Sequence, residues 1–198
     1  MLKLKSNLNL LDEINNSIIC KKSLLLEEEK INQAIKLIYK SLSQKGKIFF
    51  CGNGGSAADA QHLAAEFLIR LRPKINRMPL PALSLSMDPS TMTACGNDYS
   101  FDKIFSRPFE ALSNKNDILI VISTSGNSKN ILEVLKIAKK NNIKSLGLLG
   151  TTGGKAKKLS SLNIIVKNTN VARIQESHIF LGHYILQKVE DLIIKEKA

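Results

Sequence analysis

Residues 47–70 read KIFFCGNGGSAADAQHLAAEFLIR, and this stretch decides the fold. Its apolar opening, 48–51, shows no polar alternation, as expected of a strand buried on both faces of a parallel sheet. The run passes directly into Gly52-Asn53-Gly54-Gly55-Ser56 and then into a helical pattern over 56–70. Glycines between a strand and a helix let the backbone approach a ligand, and the helix N-terminus favours an anion. Two well-known phosphate loops are nevertheless excluded. Gly52, Gly54 and Ala57 fit G-x-G-x-x-[GA], but Arg70-Leu71-Arg72-Pro73 stands where a dinucleotide fingerprint needs an acidic residue, and the lysine of a Walker A loop is absent. Taken alone, the loop is equally a tight strand-to-helix turn.

The same alternation repeats along the chain. Apolar runs recur at 82–86, 117–123, 145–149 and 163–166, each of strand length. Helical patterns cover 56–70, 101–112 and 128–141, with a shorter one at 154–160 and a long one at 171–195. Ahead of them, residues 23–44 place Leu24, Ile31, Ile35 and Ile38 near helical spacing, and the stretch before is helical as well. Strands alternating with helices specify an α/β protein: a three-layer α/β/α sandwich with a five-stranded parallel sheet. One domain is expected over 1–198, with N-terminal helices in 1–45 added to a sandwich over 46–198. Ligands of such folds bind at the carboxyl ends of the strands.

Composition narrows the class. The 198 residues are 43% apolar and 23% charged, which is globular rather than disordered. Net charge is +12, but 24 of the 29 basic residues are scattered lysines and only five are arginines, the residue direct base readout leans on. No nucleic-acid partner is expected; the charge is a solvated surface and a favourable field for an anionic ligand. Cys20, Cys51 and Cys95 form no C-x-x-C pair, so neither a disulfide framework nor a zinc knuckle is expected. The N-terminal stretch MLKLKSNLNLLDEINN is too often interrupted by polar residues for a secretory signal, and no apolar run approaches the roughly 18 residues of a membrane span. A cytoplasmic protein is the expectation.

The third strand opens into Ser123-Thr124-Ser125-Gly126-Asn127-Ser128, followed by a helix. Four hydroxyls and several amides at one helix N-terminus suit a phosphate. Helix capping by Ser128 or Asn127 accounts for one or two of these residues, not for the cluster. A third constellation involves histidine. His62 and Glu66 stand four apart on one helix face and can reach one cation. The final helix carries Gln175 and His183, eight residues or about 12 Å apart along its axis, so a contribution from a second subunit enters consideration.

Together, CGNGGSAADAQHLAAEF, the Cys95-Gly96-Asn97-Asp98 segment, FSRPFEAL, ISTSGNSKNI and ARIQESHIFLGH resemble the phosphoheptose isomerase family of the sugar isomerase (SIS) superfamily, whose fold is flavodoxin-like. The resemblance spans essentially the whole chain. It implies substrate contacts from Asn53, Gly54, Gly55, Glu66, Asn97, Asp98 and Gln175, and a phosphate cradle of Ser123, Thr124, Ser125 and Ser128. It also implies one zinc ion per subunit on His62, Glu66, Gln175 and His183. The implied reaction converts sedoheptulose 7-phosphate into glycero-manno-heptose 7-phosphate through an enediol(ate), with Glu66 as base and His183 as its acid/base partner. That is the first step toward the activated heptoses of lipopolysaccharide or capsule. The resemblance further implies a homotetramer with active sites at subunit interfaces.

A related tetrameric adaptor that binds the bacterial replication initiator lacks the residues matching Glu66 and His183, both present here. An isomerase or sensor of another sugar phosphate is the remaining alternative. Elsewhere, His178 reads as a packed or hydrogen-bonded helix histidine, Cys51 as core, Met87 and Met92 as core filler, and Arg173 with Glu176 as residues that position neighbouring groups or pair on the surface. Cys95 reads as core or pocket lining.

Overall fold

The computed structural model describes residues 9–197. The first eight residues, on which part of the N-terminal reading rests, lie outside the described residues. Five parallel strands, β1 (Ile48–Gly52), β2 (Ala82–Ser84), β3 (Ile118–Ser123), β4 (Lys144–Gly150) and β5 (Leu162–Val166), form one sheet in the order β2-β1-β3-β4-β5. Among the described residues seven α-helices surround it: α1 (Leu10–Lys22), α2 (Glu28–Ser43), α3 (Gly55–Leu68), α4 (Pro89–Asp98), α5 (Ser106–Leu112), α6 (Lys129–Lys140) and α7 (Val171–Lys197). This is the expected three-layer α/β/α sandwich.

Strand alternation divides the interior into two cores. Ile48, Phe50, Ile118, Ile120 and Ile122 face one side, where α2, α3 and α7 pack through residues such as Ile38, Leu63 and Leu186. Phe49, Cys51, Leu119 and Val121 face the other, against Phe105 and Phe109 before and within α5 and Val134 and Leu135 of α6. Phe49 and Phe109 meet edge to face at 5.1 Å. Because both faces are covered, β1 and β3 are buried at every position, which is why their sequences show no polar alternation.

The sheet order reverses between β1 and β3: the chain leaves β1 for β2 on one side and returns to β3 on the other. At such a switch point the loops after the two strands splay apart and leave a crevice. The two loops singled out above therefore stand side by side.

Several boundaries differ from the sequence reading. The helix expected over 23–44 is a 3₁₀ turn, Ser23–Glu27, followed by α2. The strand expected at 82–86 ends at Ser84. The helix expected over 101–112 begins only at Ser106, after a 3₁₀ turn, because Pro108 is tolerated only in a first turn. The pattern at 154–160 yields a single 3₁₀ turn, Ala156–Lys158, since the β4–β5 connection is short. Helix α4 was not anticipated. Asp88 caps it through Ser90 N at 2.9 Å and a contact with the Thr91 hydroxyl, and Pro89 occupies its first turn. Met87, read as core filler, is 52% exposed, lying between β2 and α4 outside both cores.

Candidate functional site

The loop after β1 and the loop after β3 are stitched by a reciprocal amide pair. Asn53 Nδ2 donates to Asn130 Oδ1 at 2.9 Å, and Asn130 Nδ2 donates to Asn53 Oδ1 at 2.8 Å. Asn130 is 2% exposed and also accepts from Ile131 N at 2.9 Å. It was missed in the sequence, where nothing distinguishes it from a polar residue in a first helical turn.

The β3 loop is shaped around Gly126. The Ser123 hydroxyl accepts from Gly126 N at 3.0 Å, and the Ser125 hydroxyl accepts from Asn127 N at 3.2 Å. Gly126 has φ +64°, and a Cβ there would stand 2.1 Å from the Gly153 carbonyl, so no other residue fits. Asn127 accepts from Lys155 N at 3.0 Å, tying the loop to the β4–β5 connection. Ser128 occupies the N-cap position of α6, yet its side chain makes no capping hydrogen bond. Helix capping therefore does not account for Ser128 or Asn127. The Ser128 hydroxyl stands at the N-terminus of α6, where the first helical amides lack intrahelical partners. Of this set, Ser123 is buried, Thr124 and Ser128 are half-buried, and Ser125 is exposed.

Helix α3 begins at the crevice and carries His62 two turns on and Glu66 three turns on. Against it runs α7. A Cβ at Gly182 would press into Leu63, and one at Gly55 would stand 2.7 Å from Gln175 Nε2, so the two helices run parallel in register. That register brings His183 to His62, with Nε2 to Nε2 at 2.8 Å, and Glu66 Oε1 lies 3.6 Å from His62 Nε2. The ligand atoms of His62, Glu66 and His183 all lie within 4.8 Å of one another. Gln175, in the first turns of α7, lies with its amide against Gly55 at the start of α3. Asn97 and Asp98 lie exposed at the end of α4, where Asn97 Nδ2 donates to Asp98 Oδ1 at 2.8 Å.

The electrostatics suit a cation. Burial lowers the pKa of His183 and His62 lowers it further, with Glu66 opposing. One turn before His62, burial raises the carboxyl of Asp59, with His62 opposing, and Asp59 Oδ2 is buried without a hydrogen-bond partner. Two imidazole nitrogens at 2.8 Å bond each other only if one of them is protonated, whereas both can serve a metal as neutral donors. With Zn–N of about 2.0–2.1 Å, tetrahedral ligands stand about 3.3 Å apart, and 2.8 and 3.6 Å bracket that value. The donor set fits a metal.

Of the remaining residues, two cysteines and His178 lie in the interior, and Arg173 does more than pair on the surface. Cys51 and Cys95 are buried and free, and burial pushes the Cys51 thiol up. Arg173 pairs with Glu176 at 2.6 Å and with Glu13 at 3.2 Å, tying α1 to α7. His178 is fully buried.

Comparison with known proteins agrees with this geometry. Residues 15–150 match the SIS domain family. A phosphoheptose isomerase of Campylobacter concisus is 51% identical over 158 residues, covering 80% of this chain and 82% of that one. One of Helicobacter pylori is 48% identical over 170 residues, covering 86% and 88%. Among solved structures, a phosphoheptose isomerase from Neisseria gonorrhoeae superposes with a TM-score of 0.85 at 39% identity, over 91% of this chain and 96% of that one. One from Francisella tularensis gives 0.83 at 34% identity, over 93% and 100%. With half its residues shared with such relatives over four-fifths of its length, and with their fold, the chain belongs to the phosphoheptose isomerase family of SIS-domain proteins.

Proposed function

We infer that the chain interconverts sedoheptulose 7-phosphate and glycero-manno-heptose 7-phosphate, the first step toward activated heptoses for lipopolysaccharide or capsule. The observation that carries the reading is the His62–Glu66–His183 trio, which unites a carboxylate and two imidazoles where an aldose–ketose isomerisation needs a base, an acid and a cation. The phosphate sits in the cradle of Ser123, Thr124, Ser125 and Ser128, with Asn53, Gly54, Gly55, Asn97, Asp98 and Gln175 along the sugar. The reacting carbons lie at the opposite end of the substrate from its phosphate. A trio about 10 Å along α3 from the glycine loop, seven residues beyond Gly55, matches that demand.

Glu66 takes the proton from C1 of the ketose, while His183 delivers a proton to the C2 oxygen. The enediol(ate) collapses as His183 recovers the proton of the C1 hydroxyl and Glu66 returns its own to C2, giving the aldose with both groups restored. His62, Glu66 and His183 would hold the metal, zinc by the donor chemistry, with Gln175 as a fourth ligand. When bound, the ion polarises the carbonyl and hydroxyl oxygens and stabilises the developing charge. With two carboxylate oxygens, Glu66 would hold the ion and still act as the base.

The assembly is a homotetramer with active sites at subunit interfaces, and the N-terminal helices within 1–45 build it. Leu11, Ile14, Ile19, Leu25 and Leu26 expose a run of apolar surface that only a partner would cover. Among the described residues no helix is long and apolar enough to cross a membrane, and the setting is cytoplasmic. The test is deuterium transfer. In D₂O the active chain incorporates deuterium at C2 of the aldose, and Glu66→Gln slows this by roughly 10²-fold or more. Full incorporation by Glu66→Gln overturns the assignment.

A further inference from the structure

Beyond the trio itself, one side chain locks the two helices that carry it. Arg77 lies in the connection between α3 and β2 and is 2% exposed. Its Nη2 donates to the Glu66 carbonyl at 2.8 Å and its Nη1 to the Phe67 carbonyl at 3.0 Å. These carbonyls belong to the last turn of α3, where no intrahelical partner remains for them. Arg77 Nε donates to Glu190 Oε1 at 2.6 Å, and Nη1 also reaches the Met78 carbonyl at 2.9 Å. Glu190 is fully buried on α7, seven residues and two turns beyond His183, and so shares its helix face. A single guanidinium thus fastens the turn bearing Glu66 to the helix bearing His183.

The remainder of the cluster does something different. Arg72 donates to Glu190 Oε2 at 2.9 Å and pairs with Asp191 at 2.8 Å, which balances two carboxylates with two guanidinium groups. Arg72 is 26% exposed and contacts neither α3 carbonyl. A buried carboxylate is held only while its partners remain, so both arginines support folding. Of the two arginines, Arg77 is the one that reaches both the α3 carbonyls and Glu190 of α7.

We propose that Arg77, bridged through Glu190, is a positioning residue that sets the Glu66–His183 spacing and thereby the affinity of the trio for its metal. The proposal rests on the metal reading above. A lysine keeps the charge toward Glu190 but cannot span two carbonyls and a carboxylate with a fork of donors. Arg77→Lys and Arg72→Lys in the full chain are titrated with cobalt(II), whose visible absorption reports the coordination. Arg77→Lys weakens binding roughly tenfold or more, the scale seen when partners of metal ligands are removed, while Arg72→Lys leaves it essentially unchanged. Unchanged affinity in Arg77→Lys, or equal loss in both, overturns the proposal. If Arg77→Lys does not fold, Glu190→Gln, which keeps the shape of the bridge, is compared with Arg72→Lys in its place.

A His62→Ala control separates the two readings. If it leaves cobalt binding intact, the metal reading has failed, and the lock is judged without metal by amide exchange at Ile69, whose N–H bonds the Ala65 carbonyl at 2.8 Å. Exchange accelerated in Arg77→Lys but not in Arg72→Lys upholds the lock, and equal exchange overturns it.

Discussion

The buried imidazole of His178 makes folding stability depend on pH in a way that can be worked from its surroundings. Its side chain on α7 is fully buried, and neither ring nitrogen has a hydrogen bond of good geometry. Burial pushes its pKa down to about 4, against a weak opposing influence from the Leu149 main chain. Unfolded, the same ring titrates near 6.5. Between those values the unfolded chain binds a proton that the native chain refuses, so stability rises with pH, at up to about 1.4 kcal/mol per pH unit. The contribution is complete above pH 6.5 and is lost as pH falls toward and through 4. From pH 7 to pH 5 each subunit loses about 2 kcal/mol on this account. Replacing His178 by Phe removes the titration without sacrificing a hydrogen bond. Urea unfolding of both proteins at one fixed concentration, at pH 7, 6 and 5, isolates the effect from every other titrating group. The stability difference should shift by about 2 kcal/mol in favour of His178→Phe across that range. A difference that stays constant with pH refutes the reasoning.

The site itself offers two further tests. Ser128→Ala removes a hydroxyl that caps nothing, so the melting temperature should hold while KM for the sugar phosphate rises roughly tenfold, the worth of one hydrogen bond to a charged group; an unchanged KM removes Ser128 from the cradle. Gly55→Ala would put a Cβ 2.7 Å from Gln175 Nε2, the movable end of a flexible side chain, so stability should fall by less than about 1 kcal/mol while kcat/KM drops; full activity would show that Gln175 does not work from that position.

Much of this was legible because it is local. The unbroken apolar runs of β1 and β3 announced a sheet covered on both faces, and each ligand loop is a continuous stretch directly after its strand. The His62–Glu66 pair follows from helical spacing alone. What depends on register between distant segments was not legible. Spacing alone does not say that His183 meets His62 or that Gln175 lies against Gly55; only the family resemblance joined His183 to His62, and the parallel packing of α3 and α7 is the physical reason. The Asn53–Asn130 pair and the Arg77–Glu190 bridge are likewise contacts across the fold. Helix α4 was a different kind of miss: Asp88-Pro89 is a local start signal, but the threonines, glycine and asparagine that follow carry little helical propensity.

The most direct test of the central claim is NMR-monitored turnover of sedoheptulose 7-phosphate by the purified chain, in parallel with chelator and with added zinc. The account predicts appearance of the aldose phosphate with zinc, loss of turnover in chelator and recovery when zinc is restored. A zinc-loaded, folded assembly that leaves the ketose untouched would contradict it.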